Sequence, residues 1–414
     1  MNKPELLIPA NSPEVLRIAC EYGADAVYIG GENFGLRAKA RNFSLEDMKE
    51  AISFAHERNV KVYVTANIIA HNDDLEKARE YFKELNKIKP DAVIIADPAM
   101  FMMAKEELEN VDIHVSTQAN NTNYGTFNFW YNMGAVRVVT ARELSLKEVK
   151  EIRDNIPEDM EIETFVHGAM CISYSGRCLL SSFLAGRDAN KGECTHPCRW
   201  KYAVMEESRK GEYMPVYEDE RGTYIFNSKD LCMIDHIPEL VDAGINSFKV
   251  EGRMKTALYV ATVARTYRTA IDDYFKDEAY YRSRIDYYRE EIKKCTYRQY
   301  TTGFFFGKPD ENTQIYDTNT YIKGYVYLGF AEDVVDIDGD KYCKIEQKNK
   351  FSVGDEIEIM KKNGENVICT VEKILNEKYE EVESAPHPKE ILYIKLSVDI
   401  DKGELIRMKS DENN

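Results

Sequence analysis

Through the first 170 residues, short apolar runs rich in β-branched side chains alternate with segments of helical periodicity. The runs predict strands at Glu5–Ala10, Ala26–Gly30, Val60–Asn67, Ala92–Asp97, Asp112–Ala119, Val136–Ala141 and Glu161–His167. Helical patterns lie between them, near residues 13–23, 45–58, 74–88, 98–109, 123–133 and 146–154. Start signals stand where these helices should begin: Ser12 before Pro13, Ser44 with Asp47, Asp97 before Pro98, and Ser145 with Glu148. Gly23 and Gly134 stand where helices should end. Continuously apolar strands separated by helices mean parallel strands covered from outside. With Ser247–Gly252 the strands number eight, which predicts an α/β fold of the closed (β/α)8, TIM-like kind. A doubly wound sheet is the competitor, but no Gly-x-Gly-x-x-Gly follows the first strand.

Residues 168–246 interrupt the repeat as a cysteine-bearing insertion that contains a charged loop, Glu206–Arg221, and the segment Tyr224–Asp235. The barrel unit is therefore predicted over 1–278. A connecting segment, 279–312, interleaves Arg and Lys with tyrosines. Such a segment suits RNA, since rings stack on unpaired bases, but it equally suits a surface helix whose tyrosines pack on the barrel while Asp286, Glu290 and Glu291 pair the cations. From about Tyr316 the period changes to two, with strands predicted at Tyr321–Gly329, Lys341–Ile345, Glu356–Ile359, Val367–Ile374, Leu392–Leu396 and Glu404–Arg407. Turn signals such as Asp338-Gly339 separate them, and residues 313–414 read as a small antiparallel β-barrel for binding or docking.

Composition is that of a folded globular chain, with 43% hydrophobic and 31% charged residues. No apolar run is long enough to span a membrane, and the first residues lack the pattern of a secretory signal, so a cytoplasmic location is expected. The formal net charge of −17 repels nucleic acid in general, so any RNA must meet a local basic patch.

Nine cysteines without a signal sequence point to thiols or a metal site rather than disulfides. Cys171, Cys178, Cys194 and Cys198 fall in one stretch of glycine-rich loops, and Cys232 follows. Only Cys194 and Cys198 have zinc-like spacing, while the wider separations suit the larger core of an iron–sulfur cluster. Spacing leaves both metals open. In a barrel of this kind, reactive residues gather where strands end. The polar residues there include Arg37 and Arg41 after the second strand, Gln118 after the fifth and Arg142 after the sixth. His167 follows the seventh strand, and Glu251 and Arg253 the eighth.

The run from Glu163 through Phe165, Gly168, Cys171, Gly176, Cys178 and Ser181 resembles the signature of the collagenase-like peptidases of unknown catalytic type, family 32 of that class. The stretches Gly192–Trp200, Asn227–Cys232 and Lys249–Lys255 are also similar to this family, and the resemblance covers about residues 4–310. The family name implies proteolysis. Its better-understood members imply hydroxylation of RNA or of quinone precursors on a [4Fe–4S] cluster. The nearest group is that of the tRNA 5-hydroxyuridine synthases, which act on the wobble uridine with prephenate as hydroxyl source. The resemblance implies Cys171, Cys178, Cys194 and Cys232 as cluster ligands, with Cys198 as a rival for the third or fourth place and zinc as the alternative metal.

On that reading His167, Glu251 and Arg253 form the catalytic group, and Arg37, Arg41, Gln118 and Arg142 bind substrate, the guanidinium groups clamping carboxylates. Transfer RNA is the expected partner, with a paralogous protein or a second copy as a further one. Two alternatives remain: a peptidase, for which His167 near Cys171 offers the only nucleophile–base pair, and a non-catalytic cluster-binding subunit. Neither Gly-x-Ser-x-Gly nor His-Glu-x-x-His occurs in the chain.

Overall fold

The computed structural model describes all residues except 1, 33, 37–41, 172, 200–217, 220–221, 224–227, 308–320, 364 and 411–414. Most of the predicted loop Glu206–Arg221, part of Tyr224–Asp235 and the end of the connecting segment therefore lie outside the described residues.

Eight parallel strands close into a barrel: Glu5–Pro9, Ala26–Gly30, Lys61–Ala66, Ala92–Ile95, Asp112–Val115, Arg137–Val139, Glu161–Ala169 and Ser247–Val250. The last strand pairs with both the first and the seventh, which makes the sheet a cylinder. The predicted helix starts are in place. Ser44 with Asp47 and Ser145 with Glu148 form reciprocal capping boxes, and the Asp97 carboxylate accepts from the first turn of Pro98–Glu107. Gly134 ends its helix at φ +100, a conformation that costs any residue with a Cβ. The fifth strand is shorter than predicted, because Ser116 caps a 3-10 turn, Thr117–Ala119, that carries Gln118 toward the mouth.

Alternate strand positions divide the core. Leu6, Ile8, Val27, Ile29, Val62 and Val64 pack outward beneath the helices. Leu7, Tyr28, Tyr63 and Ile94 pack together inside the cylinder. The interior is also charged, which the apolar strand pattern does not predict. Arg137 reaches Glu5 at 2.5 Å and Glu163 at 3.1 Å, and Lys249 reaches Glu163 at 2.5 Å. Burial alone would raise the Glu5 carboxyl, but the Arg137 guanidinium overrides this and holds it below the ordinary carboxylate range.

The seventh strand runs two residues longer than predicted because the insertion returns to it. Asp230–Cys232 adds antiparallel to its end, pairing Asp230 with Ala169, Leu231 with Gly168 and Cys232 with His167. The helix Ile237–Asp242 then resumes the barrel's outer layer with Ile237, Leu240 and Val241 buried.

In the connecting segment, Tyr281 and Tyr288 are fully buried, and their hydroxyls donate to Ile234 O and Asp273. Its cations are paired: Arg289 with Asp286 and Asp235, Lys293 with Glu290, and Lys294 with Glu291. This is the packed surface helix rather than an RNA-binding strip.

The C-terminal region is an antiparallel sheet in which the end strands of the hydrogen-bonded path, Tyr325–Phe330 and Asp333–Ile337, are consecutive in the chain. Its two edges are thus joined covalently, and the sheet curls around Ile345, Ile359, Val371, Ile394 and Ile406. The strand Asp333–Ile337 is an addition to the predicted set. Its hairpin turns at Asp338 (φ +54) and Gly339 (φ +87), both in the left-handed region that such a tight turn requires. The region docks on the barrel through Tyr22, whose hydroxyl donates to Met360 O and accepts from Leu405 N. A buried cluster of Arg265, Glu291, Glu358 and Arg407 supports the same contact.

Candidate active site

At the C-terminal mouth of the barrel lies a cavity of about 220 Å³ between strand ends and the cysteine loops. Its floor and walls include Tyr28, Thr65, Gln118, Arg142, Phe165, Lys249, Glu251, Arg253 and Lys255. Its roof includes Cys171, Tyr174, Cys178, Cys194, His196 and Cys198. Specific contacts hold that roof in place. Asn190 O accepts from Ile69 N at 3.1 Å, Lys191 pairs with Asp74 at 2.9 Å, and Ser181 Oγ accepts from Thr195 N at 3.1 Å. Gly176 sits at φ +72 against the Gln118 carbonyl, where a Cβ would approach the oxygen to 2.3 Å. Only glycine brings the loop between Cys171 and Cys178 this close to the mouth.

The lining carries Arg142, Lys249, Arg253 and Lys255 against the single carboxylate of Glu251, a local positive excess on a chain of net charge −17. The cations differ in how far they are committed. Arg142 pairs with Glu251 at 3.0 Å, donates to Ala169 O and lies 4.0 Å over the Phe165 ring. Arg253 is buried and donates to Leu36 O, Thr65 Oγ1 and Asn42 Oδ1. Gly30 makes room for it, since a Cβ there would fall 1.9 Å from its Nη2. Lys249 is held by Glu163 below. Lys255 lies 5.0 Å over the Tyr259 and Tyr321 rings, and its ion-pair partner among the described residues, Asp230, is 4.0 Å away and is itself gripped by buried Arg298.

Of the residues singled out in the sequence, Gln118, Arg142, Glu251, Arg253, Cys171, Cys178 and Cys194 line this cavity. Arg37 and Arg41 lie outside the described residues. His167 is a correction, since it does not face the cavity. Its ring is buried among Tyr259, Tyr267 and Tyr300, with centroids 5.5–5.9 Å away, and burial drives its pKa down to about 3. A bulge explains the change of face: the pairing of the seventh and eighth strands shifts between Lys249 and Val250, and such shifts re-aim side chains. A neutral, enclosed imidazole is no acid–base group for the mouth. It forms no dyad with the exposed Cys171 either, so the pair that proteolysis would need is not assembled.

Cys232 also lies away from the cavity lining. It is half-buried, its thiol accepts from the Tyr267 hydroxyl at 4.0 Å, and desolvation pushes its pKa up to about 12. The thiols that do front the cavity are Cys171, Cys178, Cys194 and Cys198. Among the described residues, no three Cys, His, Asp or Glu side chains stand close enough to hold one metal ion. These four thiols are soft sulfur donors that separate loops bring to one cavity. Lys249 and Lys255 were missed as site residues: Lys249 stands on the eighth strand, and Lys255, whose N–H donates to Gly252 O, is carried to the cavity by the turn that follows it.

Residues 11–315 match the model of peptidase family U32, and residues 323–407 match that of the family's C-terminal domain. The chain belongs to peptidase family U32. Within this family it is similar to tRNA hydroxylation protein P1 of Bacillus subtilis (strain 168), 39% identical over 98% of this chain and 94% of that protein. It is likewise similar to tRNA hydroxylation protein P of Escherichia coli (strain K12), 37% identical over 99% of this chain and 97% of that one. A third U32 relative, the 23S rRNA 5-hydroxycytidine C2501 synthase of Escherichia coli (strain K12), is 37% identical over 65% of this chain and 39% of its own length.

Proposed function

We propose that this U32 chain is a tRNA hydroxylase that converts the wobble uridine to 5-hydroxyuridine, with prephenate as hydroxyl source. The observation that carries the reading is the near full-length likeness to two proteins named for tRNA hydroxylation. The cavity is consistent with it. A base swung out of an RNA loop would enter from the mouth, and an excess of cations would receive an anionic co-substrate. Lys255 is placed to take a carboxylate of that co-substrate. The Arg142–Glu251 pair sets the polar wall against which the base would lie, and Glu251 would be the proton acceptor of the mouth. Arg253, whose two terminal nitrogens donate to Leu36 O, Thr65 Oγ1 and Asn42 Oδ1, would fix the loop after the second strand rather than reach for substrate.

Cys171, Cys178 and Cys194 would hold a [4Fe–4S] cluster, with Cys198 or Cys232 as the fourth ligand. When bound, such a cluster supplies electron transfer or a Lewis-acidic iron. A paralogous chain or a second copy is the proposed protein partner. The test is nucleoside analysis of tRNA from a deletion strain, complemented with wild-type and variant genes. Loss of 5-hydroxyuridine, restored by wild type and not by Glu251→Gln, supports the reading; unchanged 5-hydroxyuridine in a strain with no second U32 gene removes it. Iron content of anaerobically purified Cys→Ser variants at 171, 178, 194, 198 and 232 tests the ligand set. Retention of iron by all five would remove this ligand set, and a wild-type protein without iron would remove the cluster.

A further inference from the structure

The roof of the cavity has an outer side that the proposed reaction does not use. There the helix Leu180–Ala185 follows Leu179, and Phe183 stands one turn on, its N–H donating to Leu179 O at 2.8 Å. Residues four apart share a helix face, so Leu179 and Phe183 project together. They are 70% and 86% exposed, unusual for large apolar side chains, and Tyr174 beside the cavity is 56% exposed. Two exposed arginines flank this face: Arg177, in the turn that begins at Tyr174, and Arg187, just past the left-handed Gly186 that ends the helix. Among the described residues neither has a carboxylate partner, whereas the basic groups of the connecting segment are paired.

We propose that Tyr174, Phe183, Arg177 and Arg187 form a stacking platform for the unpaired nucleotides that flank the target base. The inference rests on the RNA-hydroxylase reading and assigns the strand's path outside the cavity. Two aromatic rings and two cations fit single-stranded RNA, because every base offers a π face and every linkage a phosphate. Charge complementarity favours a phosphate-bearing strand, since the patch sets cations beside aromatic rings on a chain of net charge −17, and an acidic protein surface would meet the cations but leave the rings without bases to stack on. The platform also runs directly into the mouth, since Tyr174 and Cys178 line the cavity.

The test is fluorescence anisotropy with the full-length protein and two synthetic RNAs, a hairpin with an unpaired uridine-containing loop and a duplex of the same stem. Wild type should prefer the hairpin. Phe183→Ala should weaken hairpin binding roughly 5- to 100-fold, Phe183→Trp should retain it, and Arg187→Ala should lower the slope of log affinity against log salt by about 0.7. Phe183 is so exposed that the alanine variant should melt like wild type, which separates stacking from folding. If wild type binds the hairpin and both Phe183→Ala and Arg187→Ala match it, the platform is overturned while the RNA reading stands. If wild type binds neither RNA, both fall. A dimer that Phe183→Glu splits, with RNA affinity unchanged, makes the surface a protein contact and overturns the proposal.

Discussion

Replacing Glu163 by glutamine keeps the volume of the side chain and removes its charge from the interior of the barrel. Glu163 is fully buried and joins Lys249, at 2.5 Å, to Arg137, at 3.1 Å. Arg137 keeps Glu5 and Glu161 after the change. Lys249 keeps the faces of the Tyr28 and Phe165 rings, 4.5 Å and 5.7 Å from its ammonium. Breaking a buried pair from one side costs about 3–5 kcal/mol, and a cation–π contact returns about 1 kcal/mol. A net loss of roughly 2–4 kcal/mol is a large share of the 5–15 kcal/mol by which folded domains are stable. At about 2 °C per kcal/mol for a large domain, the melting temperature should fall by ~4–8 °C. Differential scanning calorimetry reads the shift. The double variant with Lys249→Met should recover most of the loss, because an apolar pair in place of an ion pair is close to neutral. A single variant that melts within ~2 °C of wild type, or a double variant whose loss is the sum of the singles, would refute the view that this pair holds the lower barrel together.

Glu291 at the junction with the C-terminal region gives a pH dependence of definite sign. Burial would raise it, but Arg407 and its neighbours hold it at about 2. Its contribution is therefore fully present above its unfolded pKa of about 4.3 and disappears as pH falls toward 2; Glu291→Gln should flatten the melting-temperature profile over that window, and an unaltered profile counts against the assignment. Gly30→Ala would push a Cβ into the Arg253 guanidinium and displace it by about an ångström, so turnover should fall by about two orders of magnitude with the fold retained by circular dichroism. Lys255→Met should raise the KM for the hydroxyl donor roughly 10- to 100-fold with little change in melting temperature; a change confined to kcat would move Lys255 from binding to chemistry.

The barrel was legible because strands buried on both faces write long apolar runs, and because Ser44, Asp97 and Ser145 announce their helices chemically. The charged interior was not, since Glu5, Arg137, Glu163 and Lys249 come from four strands and mean nothing singly until closure brings them together. The same holds for the mouth. Gln118, Arg142, Glu251 and Arg253 were found as strand-end residues, a local property, whereas His167 was misplaced because a bulge reverses the face beyond Phe165 and leaves no mark in composition. The ion pairs of the connecting segment were legible at helical spacing, three residues apart.

The antiparallel pairing of Asp230–Cys232 with the end of the seventh strand does more than lengthen that strand. It fastens the outgoing and returning chain side by side, like the neck of a drawn purse, at the rim of the cylinder. Chain added or removed beyond that neck changes the closure entropy only logarithmically, by about 0.6 kcal/mol per doubling. Insertions or deletions within that stretch should accordingly leave the melting temperature of the cylinder almost unchanged.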